Sequence, residues 1–451
     1  MTFAALDSSI TGPLFATEAM RTVFSDQARL GAMLRMEAAL ARAQTSLGLV
    51  PDGLAPAIEA ISPEAIDLEA LGCGTALAGV PAIPFVKAVQ ARLPPALEAS
   101  FHKGATTQDV VDTALVLQMR DAFDVIEADL AVILDGLSRL AAERRDTVCA
   151  GRSYGQHAAP ITFGFKVAVW LTGLYEMAGQ LPWLRKRVLV ASLGGPVGTL
   201  AGLGDKGPAV VDAVAHELGL ETAPGTWHTL RARMAETGTW LATLIGTLAM
   251  MAVDIGHLAS TEVGEVAEPY VPGRGGSSAM PHKRNPVSST VIMASQTAAK
   301  GHLVTLLDAM AAAHERSAGG WHGEWHALPS LFGSASGALH EARPLAEGLV
   351  IHSNQMRANL DLIRGLLFAD AAATRLAPQL GREEAHKPVE RAAAEVRQTG
   401  ESLQKTVLAR LAPISIEEAF DLTPAIQASG LWVDRALAEA APIRNSLSRK
   451  R

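Results

Sequence analysis

The chain has 451 residues, 49% of them apolar, and a net charge of −7, so it has material for two or three cores and is no disordered polymer. With a pI near 6.0 it carries no overall basic field, which removes nucleic acid as an expected partner. Aromatic residues make up only 5% while Ala and Leu dominate, a balance that favours helices over sheets and predicts an all-α fold.

Cys73 and Cys149 are the only cysteines, which gives no disulfide framework and suits a reducing cytosol. Residues Met1 to Ile10 place no Lys or Arg ahead of an apolar core, so a secretory pattern is not expected and the chain reads as cytoplasmic. Residues 1–108 read as short helical pieces broken by Pro51, Pro56, Pro63, Pro81, Pro84, Pro94 and Pro95. Five long segments then keep apolar residues at helical spacing, over 109–147, 161–190, 226–262, 287–316 and 331–366. In the first of them Val111, Leu115, Phe123, Ile126, Leu130, Ile133, Leu134, Leu137 and Leu140 recur at threes and fours. Helices of such length reach roughly 45–60 Å, and their natural use is an extended bundle. The run Trp240 to Val253 is almost wholly apolar, but it is shorter than the ~20 residues that span a bilayer. A core helix buried on all sides is the reading, with no membrane partner. After the bundle, two or three short helices are expected, one starting near Ile416 and one over Leu431–Ala441. The division is thus an N-terminal helical domain (1–110), a central helical-bundle domain (111–360) and a C-terminal helical domain (361–451).

Several polar stretches interrupt this pattern. In His102-Lys103-Gly104-Ala105-Thr106-Thr107-Gln108-Asp109 the hydroxyls and Asp109 are suited to capping the first long helix, and equally to binding a carboxylate at its N-terminus. Gly151-Arg152-Ser153-Tyr154-Gly155-Gln156-His157 precedes the second long helix, and its His157 is either a structural hydrogen-bonding group or a site residue. The runs Gly194-Gly195-Pro196-Val197-Gly198-Thr199 and Gly202-Leu203-Gly204-Asp205-Lys206-Gly207 lack the order of a phosphate-cradling loop and follow a helix, so no nucleotide role is assigned. Gly275-Gly276-Ser277-Ser278-Ala279-Met280-Pro281-His282-Lys283-Arg284-Asn285-Pro286 sets hydroxyls, cations and an amide in a frame of Gly and Pro that discourages a helix. It reads as a mobile loop able to close over an anion, with Arg274, Lys283 and Arg284 supplying a positive pocket. His314-Glu315-Arg316-Ser317-Ala318-Gly319-Gly320-Trp321-His322-Gly323-Glu324-Trp325-His326 has two His four apart without the HExxH order, too few ligands for a metal. Trp321 and Trp325 read equally well as core residues.

The loop over 275–286 resembles the flexible catalytic loop (GSSxMPxKxNP) of the fumarase/aspartase superfamily. Residues 102–114 are similar to the HYGLTSxDVVDTA segment of adenylosuccinate lyases, and residues 151–164 to the superfamily's GRTHxQxAxPxTxG region. The tract from His314 looks like the HERxxGxWHxEW stretch of bacterial 3-carboxymuconate cycloisomerases, as does Ala428-Ser429-Gly430-Leu431-Trp432-Val433-Asp434-Arg435-Ala436-Leu437. The resemblance implies three helical domains with a central five-helix bundle, and a homotetramer whose active sites are shared between chains. It implies Ser277 as the base, or as the acid in the lactonising direction, with Lys283 and Asn285 binding a substrate carboxylate. It places His157 in the catalytic group, and His102, Thr106, Thr107, Ser153, Tyr154, Gln156, Ser278, Met280, Arg316 and Trp321 around the substrate. No cofactor or metal is implied.

One departure carries chemical meaning. Where fumarases and adenylosuccinate lyases have the His that protonates the leaving group, this chain has Tyr154. A departing amine or hydroxide needs a proton, whereas a carboxylate, with a pKa of roughly 4, does not. The purine lyases also have a His in the region that reads Val80-Pro81-Ala82-Ile83-Pro84 here. The implied activity is therefore cyclisation of a tricarboxylate, 3-carboxy-cis,cis-muconate, to a lactone. The alternatives are an adenylosuccinate-type C–N lyase, a cycloisomerase for a related muconate such as 3-sulfomuconate, and a catalytically silent structural homologue.

Overall fold

The computed structural model describes residues 3–411 and 417–448. The chain forms two compact units, each gathered from three stretches: Met1–Asp129, Met177–Gly246 and Ala294–His340 in the first, Leu130–Glu176, Thr247–Met293 and Glu341–Arg451 in the second. The fold is all-α, and among the described residues paired strands form only two two-stranded sheets.

Helix α1 (Asp26–Ser46) opens the ordered core of the first unit, with Ser25 accepting the Ala28 N–H as its N-cap. Five long helices follow: α2 (Thr107–Glu143), α3 (Phe163–Val188), α4 (Ala232–Leu258), α5 (Val287–Asp308) and α6 (Gly320–Gly348), of 37, 26, 27, 22 and 29 residues. The apolar spacing in α2 produces the expected stripe, with Ile126, Leu130, Ile133, Leu134 and Leu137 all fully buried. In the first unit, Phe123 of α2 meets Trp240 of α4 and Phe332 of α6 edge-on at centroid distances of 6.0 and 5.2 Å. In the second unit, Trp170 Nε1 and Lys166 Nζ of α3 both donate to Asp254 of α4, at 3.0 and 3.2 Å.

Four departures from the sequence reading have physical causes. The fifth long helix begins at Gly320 rather than 331, because Trp321, Trp325 and Leu328 already repeat at helical spacing behind Gly319, whose φ of 85° ends the preceding loop. It stops at Gly348, since Val350–Ile351 turns extended and pairs with Val266–Ala267. The apolar run Trp240–Val253 is not buried on all sides: Leu241, Leu244, Ile245 and Leu248 face the core while Met250 and Val253 are exposed. Among the described residues, α4 alone is long and apolar enough to cross a membrane by length and composition, and half of its most apolar window is buried. Near the C-terminus the expected start at Ile416 lies outside the described residues, and the helix expected over Leu431–Ala441 is part of a longer one, α7 (Thr423–Ser448).

The fourth departure is a β-hairpin before α3. Strands β1 (Val148–Ser153) and β2 (Gln156–Thr162) are antiparallel, with Ser153 opposite Gln156 and a register shift beside Arg152. The connection is two residues, Tyr154 at φ 51° and Gly155 at φ 76°, the left-handed pair that a tight hairpin needs. Tyr in place of Asn or Asp at the first position hid that signal. At the base of the hairpin, Gly164 donates its N–H to the Arg144 carbonyl at 2.8 Å, and a Cβ there would lie 2.7 Å from the Ala141 and Arg144 carbonyls and from the Arg145 Cα. All three are backbone atoms that cannot swing aside. Gly164→Ala should therefore destabilise the chain by about 1–3 kcal/mol in urea unfolding; an unchanged midpoint would show that the hairpin base is not close-packed.

Candidate active site

In the first unit the polar stretch 102–109 is organised by one buried carboxylate. Asp109, in the first turn of α2, accepts the backbone N–H groups of Thr106, Gly194 and Gly195 at 2.9, 2.8 and 2.9 Å, and His228 Nε2 lies 2.6 Å away. Both side chains of that last pair are buried. The carboxylate thus ties the start of α2 to the 194–195 turn and to the segment before α4. The amides of Gly194 and Gly195 are occupied by a protein carboxylate, which is how this Gly-rich turn is used.

One turn along α2, Asp112 forms a second buried cluster. Its carboxylate accepts from both Arg231 Nη atoms at 2.7 and 3.1 Å, from Trp321 Nε1 at 2.9 Å and from Gln108 Nε2 at 3.1 Å. Arg231 also forms a two-point pair with Glu324. Burial alone would lower the Arg231 pKa, but Asp112 and Glu324 outweigh it and hold the guanidinium firmly charged. Burial pushes Glu324 above the ordinary carboxylate range, with Arg231 acting against it. Trp321, expected against the substrate, is 4% exposed and commits its indole N–H to Asp112, so the structure places it beneath the polar surface.

Above this foundation stand the predicted residues of the first unit. Arg316 Nη1 donates to Thr106 Oγ1 at 3.1 Å, and its Nη2 to the Gly195 and Pro196 carbonyls at 3.3 and 3.1 Å. The Thr106 hydroxyl therefore works with Arg316 rather than as a helix cap, a role Asp109 takes on the Thr106 N–H. His102, at φ 57°, points Nδ1 to Glu37 Oε1 at 2.5 Å. Thr107, the first residue of α2, is half-buried beside them. The group is a hydroxyl, a guanidinium and an imidazole on one polypeptide surface, a set suited to carboxylates.

In the second unit, the hairpin and the long loop carry the other predicted residues. Tyr154 stands fully exposed at the hairpin tip, where it and Gly155 join Ser153 to Gln156. Arg152 pairs through both Nη atoms with Glu265, and Asn359 Nδ2 donates to Glu265 Oε1 at 2.8 Å. His157, opposite Arg152 in the ladder, has its pKa lowered by burial and then by the Arg152 charge, with Glu265 opposing. Its Nδ1 is buried and has no hydrogen-bond partner among the described residues.

The loop between Val266–Ala267 and α5 is pinned at its base and exposed at its tip. Glu268 accepts the Ser288 and Ser289 N–H groups at 3.0 and 2.9 Å, clamping the two ends of the loop together at the N-terminus of α5. Arg274 binds Glu341 and Ser288 Oγ, and the Arg284 guanidinium lies 4.8 Å from the Tyr270 ring centroid. Of the three expected cations, Arg274 is thus an anchor and Arg284 is stacked, while Lys283 is exposed at the tip. Gly276 bridges Arg284, and Asn285 N–H donates to the Gly275 carbonyl at 2.8 Å, so the tip is a small closed turn. A Cβ on Gly275 (φ 67°) would sit 2.6 Å from the Asn285 carbonyl oxygen, which makes that glycine obligatory. Ser277 is half-buried and its Oγ accepts the Met280 N–H at 3.1 Å; Ser278, Met280 and Asn285 are exposed. A backbone donor aimed at Ser277 Oγ is the kind of group that stabilises an oxyanion there.

A family model described as Lyase matches residues 15–301. The chain belongs to this lyase family. Among relatives of this fumarase/aspartase lyase, the 3-carboxy-cis,cis-muconate cycloisomerase of Pseudomonas putida is 45% identical over 405 residues, 88% of this chain and 95% of that protein. The nitrosuccinate lyase of Streptomyces davaonensis is 41% identical over 452 residues, 96% of this chain and 95% of that protein. The crystal structure of the 3-carboxy-cis,cis-muconate lactonizing enzyme from Pseudomonas putida is similar with a TM-score of 0.90 at 43% identity, covering 96% of this chain and 98% of that one.

The lyase chain's polar foundation was the part that motif reading passed over. Asp109 and Glu324 lay within polar stretches read from the sequence, and Asp112 one turn beyond the first, but Glu37, His228 and Arg231 fall outside them, and their pairings form only in the fold. The foundation is also testable. Arg231→Met leaves Asp112 and Glu324 buried without a cation, and should cost about 3–5 kcal/mol of unfolding free energy in urea; a loss under about 1 kcal/mol would mean that the carboxylates are not charged there.

Proposed function

We propose that this enzyme closes 3-carboxy-cis,cis-muconate to 4-carboxymuconolactone. The observation that carries the reading is Tyr154, an exposed phenol at a hairpin tip in the position where the superfamily's leaving-group acid stands. The imidazole that protonates a basic leaving group is absent at this position, so a weakly basic carboxylate, which leaves without a proton, is the leaving group that this chain suits. The cycloisomerase relatives, at up to 45% identity, support the same choice of substrate.

In the lactonising direction, the carboxylate at the unbranched end of the substrate adds to the carbon bearing the branching carboxyl group. The electron pair of the broken double bond moves toward the neighbouring carbon and its carboxylate. Ser277 Oγ–H gives that carbon a proton, and the Met280 N–H steadies the oxygen left behind. Lys283 and Asn285 bind the carboxylate on which charge develops, while Arg316, Thr106, Thr107 and His102 hold the others. Ser153, Gln156, His157, Ser278 and Met280 complete the surroundings. No cofactor takes part.

We further infer a cytoplasmic homotetramer whose active sites draw residues from several chains. Exposed apolar side chains along the long helices, Val169, Trp183, Met250, Val253, Val304, Leu307 and Met310, support it, since such residues are otherwise costly in water. The three-segment domain division with boundaries near 110 and 360 belongs to the same reading.

The test follows loss of the conjugated diene by ultraviolet absorbance, on a panel of 3-carboxy-cis,cis-muconate and 3-sulfomuconate, with nitrosuccinate and adenylosuccinate as competitors. Ser277→Ala should lower turnover of the carboxymuconate by ~10²–10⁴, and Tyr154→Phe by less than about tenfold. A Ser277→Ala variant near the parent rate, or a Tyr154→Phe loss beyond about a thousandfold, contradicts the assigned roles.

A further inference from the structure

Glu37 is the one carboxylate in the middle of α1, surrounded by the buried Met33, Leu34, Met36, Ala38, Leu40 and Ala41 of the same helix and itself only 1% exposed. Burying a carboxylate is costly unless it meets a cation or several donors. Oε1 of Glu37 meets His102 Nδ1 at 2.5 Å, and Oε2 is buried without a partner among the described residues. The imidazole is thus the group that compensates this charge. Two turns further along the same face of α1, Gln44 Nε2 donates to the Lys103 carbonyl at 2.7 Å, and Lys103 Nζ donates to the Leu49 carbonyl at 3.0 Å. The segment is thus held at His102 and at the next residue, Lys103, and His102 keeps the uncommon left-handed φ of 57°.

From this geometry we propose that Glu37 is a positioning residue, which orients His102 with Nδ1 toward α1 so that Nε2–H is presented as a charged donor to a substrate carboxylate. The idea deepens the tricarboxylate reading above and rests on it for the ligand. It also distinguishes the two histidines by their surroundings: His102 faces a buried carboxylate, whereas His157 lies opposite Arg152. Burial would lower the His102 pKa, but Glu37, and Asp109 at longer range, outweigh it and raise it above the ordinary histidine value. Lys103 is adjacent in the chain, and its ammonium is turned to the Leu49 carbonyl. By linkage, the pair's contribution to stability is complete below the unfolded histidine pKa of about 6.5 and is lost as pH rises through the folded value.

The experiment is a proton NMR titration of the full-length protein, with the His102 resonance identified by its disappearance in His102→Asn. In the parent, His102 should titrate above the ordinary value of about 6.5, and in Glu37→Gln about one unit or more lower, while Glu37→Asp retains part of the elevation. Kinetics on 3-carboxy-cis,cis-muconate form the second readout. Glu37→Gln should raise KM by about tenfold near pH 8 with kcat changed less than about threefold, and the KM defect should shrink toward pH 6 as the imidazole regains its proton. A His102 that titrates at or below the ordinary value in the parent overturns the proposal even if Glu37→Gln fails to fold. So does a Glu37→Gln variant with shifted titration but unchanged KM at every pH. If the parent turns over no muconate, the assigned activity fails, while the titration still decides the Glu37 and His102 pairing independently.

Discussion

Asp109 is the constraint on which the polar surface around Thr106 and Arg316 in the first unit depends. Its carboxylate satisfies three backbone N–H groups that would otherwise be buried and unpaired, and it lies against the equally buried His228. Each such orphaned amide would cost about 1–3 kcal/mol, so the side chain decides where the 106 and 194–195 segments sit. Arg316 then reads the result, because its three contacts are to Thr106, Gly195 and Pro196. The Asp112, Arg231 and Glu324 cluster fixes the next layer in the same way. The polar surface of the first unit is thereby supported on buried carboxylates, and Asp112 and Glu324 hold Arg231 charged beneath it.

The second unit uses a different device. Its loop is anchored by Glu268 and Arg274 at the base, while Ser277, Lys283 and Asn285 lie on a compact, solvent-facing tip. A rigid base with a small closed tip lets the loop carry a preformed Ser277 and Met280 contact without exposing a long flexible segment. The pKa of His157 is lowered by burial and by Arg152, with Glu265 opposing.

Much of this was legible in the sequence. Periodicity in α2 located the longest helix within a few residues, since no Pro or Gly pattern competes there, and the motif around Ser277 correctly marked a loop. The hairpin escaped because Tyr154-Gly155 is an unusual two-residue turn, and α6 was placed late because Gly319, Gly320 and Gly323 interrupt the start of its apolar stripe around Trp321. Pairings of buried charge were the least legible. Nothing in the local sequence of Glu37 or Arg231 distinguishes it from a solvated residue, and only the fold brings Glu37 to His102 and Arg231 to Asp112. Arg274 shows the converse: a cation in a site-like motif that the structure employs as an anchor on Glu341.

The central claim is that the chain forms a ring by adding a carboxylate and delivering one proton to the carbon beside it. Running the reaction of 3-carboxy-cis,cis-muconate in heavy water and reading the product by proton NMR tests this most directly. The account predicts 4-carboxymuconolactone with a single deuterium on one face of the carbon α to the side-chain carboxylate. An intact diene, or deuterium spread over both α positions, would contradict it.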